Sequence, residues 1–164
     1  MKTELIYLKD SYKKELEADI LEVEEISPKL AKLVLIQTIF FAEGGGQPSD
    51  QGKIVIGEKT YKVTQVRIEG GEVKHYLEVR DEMPEKGKCV IEIDWARRYK
   101  NMQMHTAGHI IDWAISELKL HNDKIMPSKA NHGKNPFIVY VGKSDEIEVN
   151  DIQKRVNKIL ENNL

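Results

Sequence analysis

Over residues 3–94 the apolar positions come in short runs spaced by polar ones. Lys32-Leu33-Val34-Leu35-Ile36-Gln37-Thr38 is the strongest run, nearly continuous and β-branched, which is the pattern of a strand packed into a core. Leu5-Ile6-Tyr7-Leu8 opens the series, and 16–26 follows with Ala18 and Ile20 in phase and Leu21 and Val23 out of it. Ile54-Val55-Ile56, 61–68, 73–79 and 89–93 read as further strands. Gly57-Glu58, Gly70-Gly71 and Pro84 with Gly87 separate them as turns. Short strands at this spacing predict a small β-barrel or sandwich.

At Asp94 the period changes from two to nearly four. Met102, Ile110, Ala114, Ile115 and Leu118 recur at the intervals of one helix face, so 95–118 is expected as a helix with Asp94 as its N-cap. The segment 120–123 is expected to end that helix, and 124–133 is polar, with one short strand at best. Phe137-Ile138-Val139-Tyr140-Val141 reads as a strand. The stretch 149–160 reads as an amphipathic helix, with Ile152, Val156, Ile159 and Leu160 inside and Lys154, Arg155 and Lys158 outside. The change of period sets a boundary between 1–93 and 94–164.

Inside the long helix lies His105-Thr106-Ala107-Gly108-His109. Positions four apart stack on a helix with Cβ atoms ~6 Å apart, so His105 and His109 could aim their nitrogens at one zinc ion. The Glu that a metalloprotease motif places between two such histidines is missing, which disfavours a protease. His132 could supply a third ligand, but its position in a polar loop reads instead as a surface histidine.

A second segment needs explaining: Phe40-Phe41-Ala42-Glu43-Gly44-Gly45-Gly46-Gln47-Pro48-Ser49-Asp50-Gln51-Gly52. Each ordered glycine loses more backbone entropy than any other residue. Three in a row therefore suggest backbone that approaches something closely, or amides and the Gln47 side chain held open to a ligand.

Composition narrows the class. The 164 residues are 40% apolar, enough for a core, and no apolar run reaches the ~20 residues of a membrane span. The N-terminus lacks a signal-peptide core, and the single Cys89 forms no internal disulfide; together these predict a soluble cytoplasmic protein. Cys89 itself reads as a small buried hydrophobe. Net charge is −2, so a polyanionic partner would need a local patch, for which Arg97, Arg98 and Lys100, with Lys124, Lys129, Lys134 and Lys143, are the candidates.

Taken together, Gly-Gly-Gly-Gln-Pro-Ser-Asp-Gln-Gly at 44–52, Asp94-Trp95-x-Arg97-Arg98 and His105-x-x-x-His109 resemble the AlaX proteins. These are free-standing relatives of the alanyl-tRNA synthetase editing domain. Order and spacing match over roughly the first 115 residues, and the rest matches in pattern only. The resemblance implies an α+β fold, with a small N-terminal β-barrel followed by an α/β two-layer domain that is C-terminally truncated here. It implies hydrolysis of the ester joining serine or glycine to alanine tRNA. His105 and His109 would be zinc ligands, and Gly44, Gly45, Gly46 and Gln47 would border the pocket. Arg97 and Arg98 could meet the single-stranded 3′ acceptor end of the tRNA.

Two departures follow. The family completes its zinc site with a downstream Cys-x-x-x-His, and this chain ends at Leu164 before one occurs. Gly108 stands where the synthetase editing domains usually carry a Thr that shapes the amino-acid pocket, so substrate preference does not carry over. The missing motif favours an alternative, a non-catalytic module binding tRNA or a synthetase. Editing of threonine tRNA is a weaker one, disfavoured by the glycine-rich loop. A truncated α/β domain would leave apolar strand edge that a homodimer could cover.

Overall fold

The computed structural model describes residues 3–118, 125–142 and 148–162. The chain divides into two compact units: Met1–Gly44 with Pro48–Tyr99, and Gly45–Gln47 with Lys100–Leu164.

The first unit is a closed antiparallel barrel. β1 (Glu4–Leu5), a 3-10 turn (Ile6–Leu8), β2 (Glu15–Ser27), β3 (Leu30–Leu35) and β4 (Gln37–Thr38) come first, then β5 (Gly52–Ile56), β6 (Lys59–Glu69), β7 (Glu72–Glu78) and β8 (Gly87–Ile93). The barrel order is β2-β3-β7-β6-β5-β8, closed by pairing of β2 with β8, and β1 pairs in parallel with β4. Closure leaves these six strands no open edge. Leu33, Leu35, Ile54, Val63, Val66, Leu77 and Ile91 fill the interior with no exposed surface.

Where strands differ from their sequence signals, a local cause is visible. The phase slip between Ile20 and Leu21 is a bulge, since the register against β3 shifts between Ile20 and Glu22. Of the opening apolar run only Leu5 is strand, and the chain then turns. The strong run at 32–38 breaks at Ile36, whose N–H turns to the Asp19 carbonyl and whose carbonyl accepts from Glu4. Cys89 is buried as expected, and burial, with Asp19 nearby, pushes its thiol up to about 11.

Two buried polar groups punctuate this core. His75 has no exposed surface; its Nδ1–H donates to the Leu33 carbonyl (3.3 Å) and its Nε2 accepts from the Thr38 hydroxyl (2.9 Å). Both contacts suit the neutral ring, and burial lowers its pKa from 6.5 to about 4.

The second group corrects an expectation. Arg98, read from sequence as a tRNA-facing cation, is 2% exposed. Its Nε donates to both Asp50 oxygens (3.0 and 2.9 Å), and its terminal nitrogens donate to the Ser11 carbonyl (2.9 Å), the Ile39 carbonyl (2.5 Å) and Asp50 again. Asp50 Oδ2 also accepts the Phe41 N–H at 2.8 Å. A desolvated guanidinium persists only with such a full set of acceptors.

The end of the glycine-rich motif is structural too. A Cβ on Gly52 would lie 2.1 Å from the Glu92 carbonyl oxygen and 2.8 Å from the Ile93 Cα. Both are backbone atoms of β8, so no side chain fits where β5 meets it.

α1 (Trp95–Glu117) starts in the first unit, where Asp94 Oδ1 accepts the Arg97 N–H at 3.0 Å as the expected N-cap. The remainder of α1, β9 (Ile125–Asn131), β10 (Phe137–Gly142) and α2 (Val149–Glu161) belong to the second unit. β9 and β10 form an antiparallel pair, so the polar 124–133 segment holds a strand of seven residues. Its side chains from Met126 to Lys129 are exposed, which is why apolar patterning did not mark it. In α2, Leu160 is 53% exposed, not inside, and Arg155 pairs with Glu117 of α1. The helix end expected at 120–123 lies outside the described residues, as do Lys124 and Lys143.

Two measurements test the barrel's polar core. Arg98→Ala leaves Asp50 charged and buried, and is expected to lower stability by roughly 3–5 kcal/mol in urea unfolding at neutral pH; a loss under 1 kcal/mol would contradict a buried role. Because the folded pKa of His75 is depressed, its contribution is complete above 6.5 and is lost as pH falls toward about 4. This loss is worth about 3 kcal/mol. In His75→Gln, the fall in stability between those pH values should shrink by that amount.

Candidate functional site

All the residues of this site lie in the second unit. One helical turn separates His105 and His109 on α1, and their ring centroids are 4.9 Å apart at 27°. His132, just past β9, also stacks on His105: centroids 4.6 Å apart, planes 12° from parallel. Its backbone N–H donates to the Gly46 carbonyl at 2.8 Å.

His132 is only 5% exposed, which corrects its reading as a surface histidine. The reason is Gly108. A Cβ there would stand 2.7 Å from His132 Cε1 and 3.3 Å from Nδ1, so the ring occupies space that any other residue of the helix would claim. A glycine inside a helix costs about 1 kcal/mol against alanine. That cost at Gly108 was the one sequence signal that something approaches the helix closely.

The glycine run approaches protein, as its composition suggested. Gly45 and Gly46 take positive φ of 57° and 78°. A Cβ on Gly46 would lie 2.7 Å from the Ala130 carbonyl oxygen of β9, and one on Gly45 would lie 3.6 Å from His105 Cε1. Gln47, 4% exposed, places its Oε1 2.9 Å from His105 Nδ1. With a carbonyl oxygen as acceptor, Nδ1 carries the proton and Nε2 the lone pair.

Structure therefore brings together Gly45, Gly46, Gln47, His105 and His109 among the residues singled out from sequence, and adds His132. Gly44, Arg97 and Arg98 belong to the barrel unit. Arg97 is half-buried, with its Nε on the Ser49 carbonyl at 3.2 Å.

Electrostatics keep two of the imidazoles neutral. Burial lowers the pKa of His105, and His132 and His109 add to the effect. For His132 burial again leads and His109 contributes, against Asp112 and a hydrogen bond to the Met104 carbonyl, which raise it. Asp112 stands 4.0 Å from His109 Nδ1 and accepts the Tyr140 hydroxyl proton. Burial and that hydrogen bond together raise the Tyr140 pKa. The cluster lines a cavity of about 180 Å³, with Gly45, Asp112, Lys129 and Ile138 in its walls.

Does this arrangement suit zinc? Neutral imidazoles are suitable donors. Among the described residues, however, no group of three or more His, Cys, Asp or Glu is placed to hold one ion. The ring angles explain this. A metal must lie in the plane of each imidazole that binds it, at 2.0–2.1 Å from nitrogen, and planes stacked at 12° do not meet within that reach. As packed, the histidines do not fit a zinc cage.

Comparison with known proteins follows the same lines. Residues 2–97 match the model of the family described as tRNA synthetases class II (A). The chain is 39% identical over 116 residues to alanyl-tRNA editing protein AlaX-L of Pyrococcus horikoshii, covering 70% of this chain and 28% of that protein. It is 30% identical over 166 residues to AlaX-M of Saccharolobus solfataricus, covering 94% of this chain and 67% of that one. Against an alanine–tRNA ligase of Haloquadratum walsbyi it is 32% identical over 166 residues, 17% of the ligase. The chain thus spans under a third of AlaX-L and under a fifth of the ligase. With the barrel and the Gly45–Gln47 and His105/His109 cluster in place, the chain belongs to the class II (A) tRNA synthetase family and, within it, to the AlaX-type alanyl-tRNA editing proteins.

Proposed function

We propose that this chain is a trans-editing hydrolase that removes serine or glycine wrongly esterified to alanine tRNA. The observation that carries the proposal is His105. Gln47 holds its Nδ1–H, and its Nε2 lies beside Gly45 on the wall of the 180 Å³ cavity. Names of the relatives support the substrate class: two are alanyl-tRNA editing proteins.

The chemistry asks little of the protein, because an aminoacyl ester is already activated. Water adds to the ester carbonyl as Nε2 of His105 takes its proton, and the C–O bond to the ribose then breaks as the ring returns that proton to the departing ribose oxygen. The products are the free amino acid and a tRNA with a free 3′ hydroxyl. A base held neutral by burial is ready for that proton at neutral pH. A small cavity suits a small amino acid. Lys129, exposed on the cavity wall, supplies a cation for the nearby phosphate. It replaces Arg98 in that role, since Arg98 is committed to Asp50.

Zinc at His105 and His109 is a competing arrangement on donor chemistry alone: with Nδ1–H held by Gln47, an ion would take the same Nε2 lone pair, so His105 is the base only where no ion is bound, and both rings would have to turn to meet one. No step above runs through it. No helix among the described residues is long and apolar enough to cross a membrane.

Two outcomes are expected. His105→Ala should lower kcat/KM on seryl-alanine-tRNA by roughly hundredfold or more, the usual worth of a general base. Folded wild-type protein that leaves both serine and glycine esters intact would overturn the reading. Zinc content after dialysis decides between the two arrangements: deacylation by metal-free protein is expected for His105 as the base, whereas one equivalent of zinc that vanishes in the His105→Ala, His109→Ala double variant, with activity lost to chelator, would assign the pair to the metal.

A further inference from the structure

Among the described residues that line the 180 Å³ cavity, one carries a carboxylate, Asp112. It follows His109 by three residues on α1, and its two oxygens are placed differently. Oδ1 accepts the Tyr140 hydroxyl of β10, which ties helix to strand and fixes the carboxylate. Oδ2 stands 4.0 Å from His109 Nδ1, beyond hydrogen-bond distance, so its lone pairs remain for another donor. The side chain is 29% exposed; it can be reached from the cavity, yet is partly withdrawn from water. A carboxylate so placed is a weakly compensated charge, and a cation that enters the cavity would compensate it. The proton transfers given above need only His105 and Gln47 and leave Asp112 without a task.

We propose that Asp112 binds the α-ammonium of the aminoacyl group through Oδ2, so that the chain acts on esters whose amine is free. This rests on the hydrolase reading given above. Serine and glycine share no side-chain chemistry. Their esters do share an amine one carbon from the ester carbonyl, and a carboxylate beside that amine favours its charged form. Holding the ammonium at the cavity wall also fixes where the carbonyl stands, which is how a binding contact contributes to rate. An N-acylated amine, as in a peptidyl or N-formylated ester, brings Oδ2 no positive charge and adds atoms to a small cavity. Recognition by Asp112 therefore separates aminoacyl esters from peptidyl ones before any side chain is read.

The probes are two amides, 3′-glycylamino-3′-deoxyadenosine and its glycolyl counterpart, in which a hydroxyl replaces the ammonium. Neither has the labile ester, so binding to the full chain is read without turnover. At pH 7 the glycyl form should bind about tenfold more tightly, the worth of one charge-assisted hydrogen bond at a partly exposed site. Asp112→Asn keeps the oxygen that Tyr140 bonds but loses the charge, and should bring the ratio of the two affinities close to one. Asp112→Ser, also neutral, should do the same, and Asp112→Glu should restore part of the preference. Failure of the wild type to bind the glycyl form, or equal binding of both forms, would overturn the role. An unchanged ratio in the neutral variants would do so too, as would an equal loss for both probes, which a merely structural Asp112 predicts. Deacylation of glycyl-tRNA by the wild type keeps the two readings apart. Cleavage without ammonium preference removes the role of Asp112 alone, and ammonium preference without cleavage removes the hydrolase alone.

Discussion

Arg98 and Asp50 form the constraint on which the barrel unit depends. Both side chains are out of water, and no desolvated charge stays folded without its partner. The pair joins the first turn of α1 to the end of the glycine-rich motif, and its remaining donors take the Ile39 and Ser11 carbonyls. Four separate pieces of chain therefore share one guanidinium. Coulomb attraction gives the pair its strength, but its specificity comes from geometry: only a planar fork reaches a carboxylate and two carbonyls at once.

Much of the fold was legible because burial follows period. The alternation in 73–79 puts Val73, His75 and Leu77 inside, and the helical intervals in α1 put Ala114 and Ile115 inside. Legibility failed where structure rests on backbone or on partners distant in sequence. β9 is held by its pairing with β10 and turns polar side chains outward, so nothing in its composition announces a strand. Arg98 sits beside Arg97 in sequence and reads as half of a basic patch. Only the distant Asp50 shows it to be an interior residue. Gly52 looked like part of a ligand loop, yet it is needed because β8 leaves no room for a Cβ.

The candidate site divides in the same way. The spacing of His105 and His109 and the surplus glycines were visible, since both are local signals. Gln47 was placed near the site by its motif, but its contact with Nδ1 of His105 fixes a tautomer that sequence does not encode. His132 was invisible, because the feature that buries it is the missing side chain of another residue, Gly108 on α1.

Positions 108 and 132 lie on different elements but share one space: a Cβ at 108 would stand 2.7 Å from the His132 ring, so a side chain on that helix position is admitted only if the ring moves. The placement of His132 in the pocket is thus set from α1, by an atom that is not there.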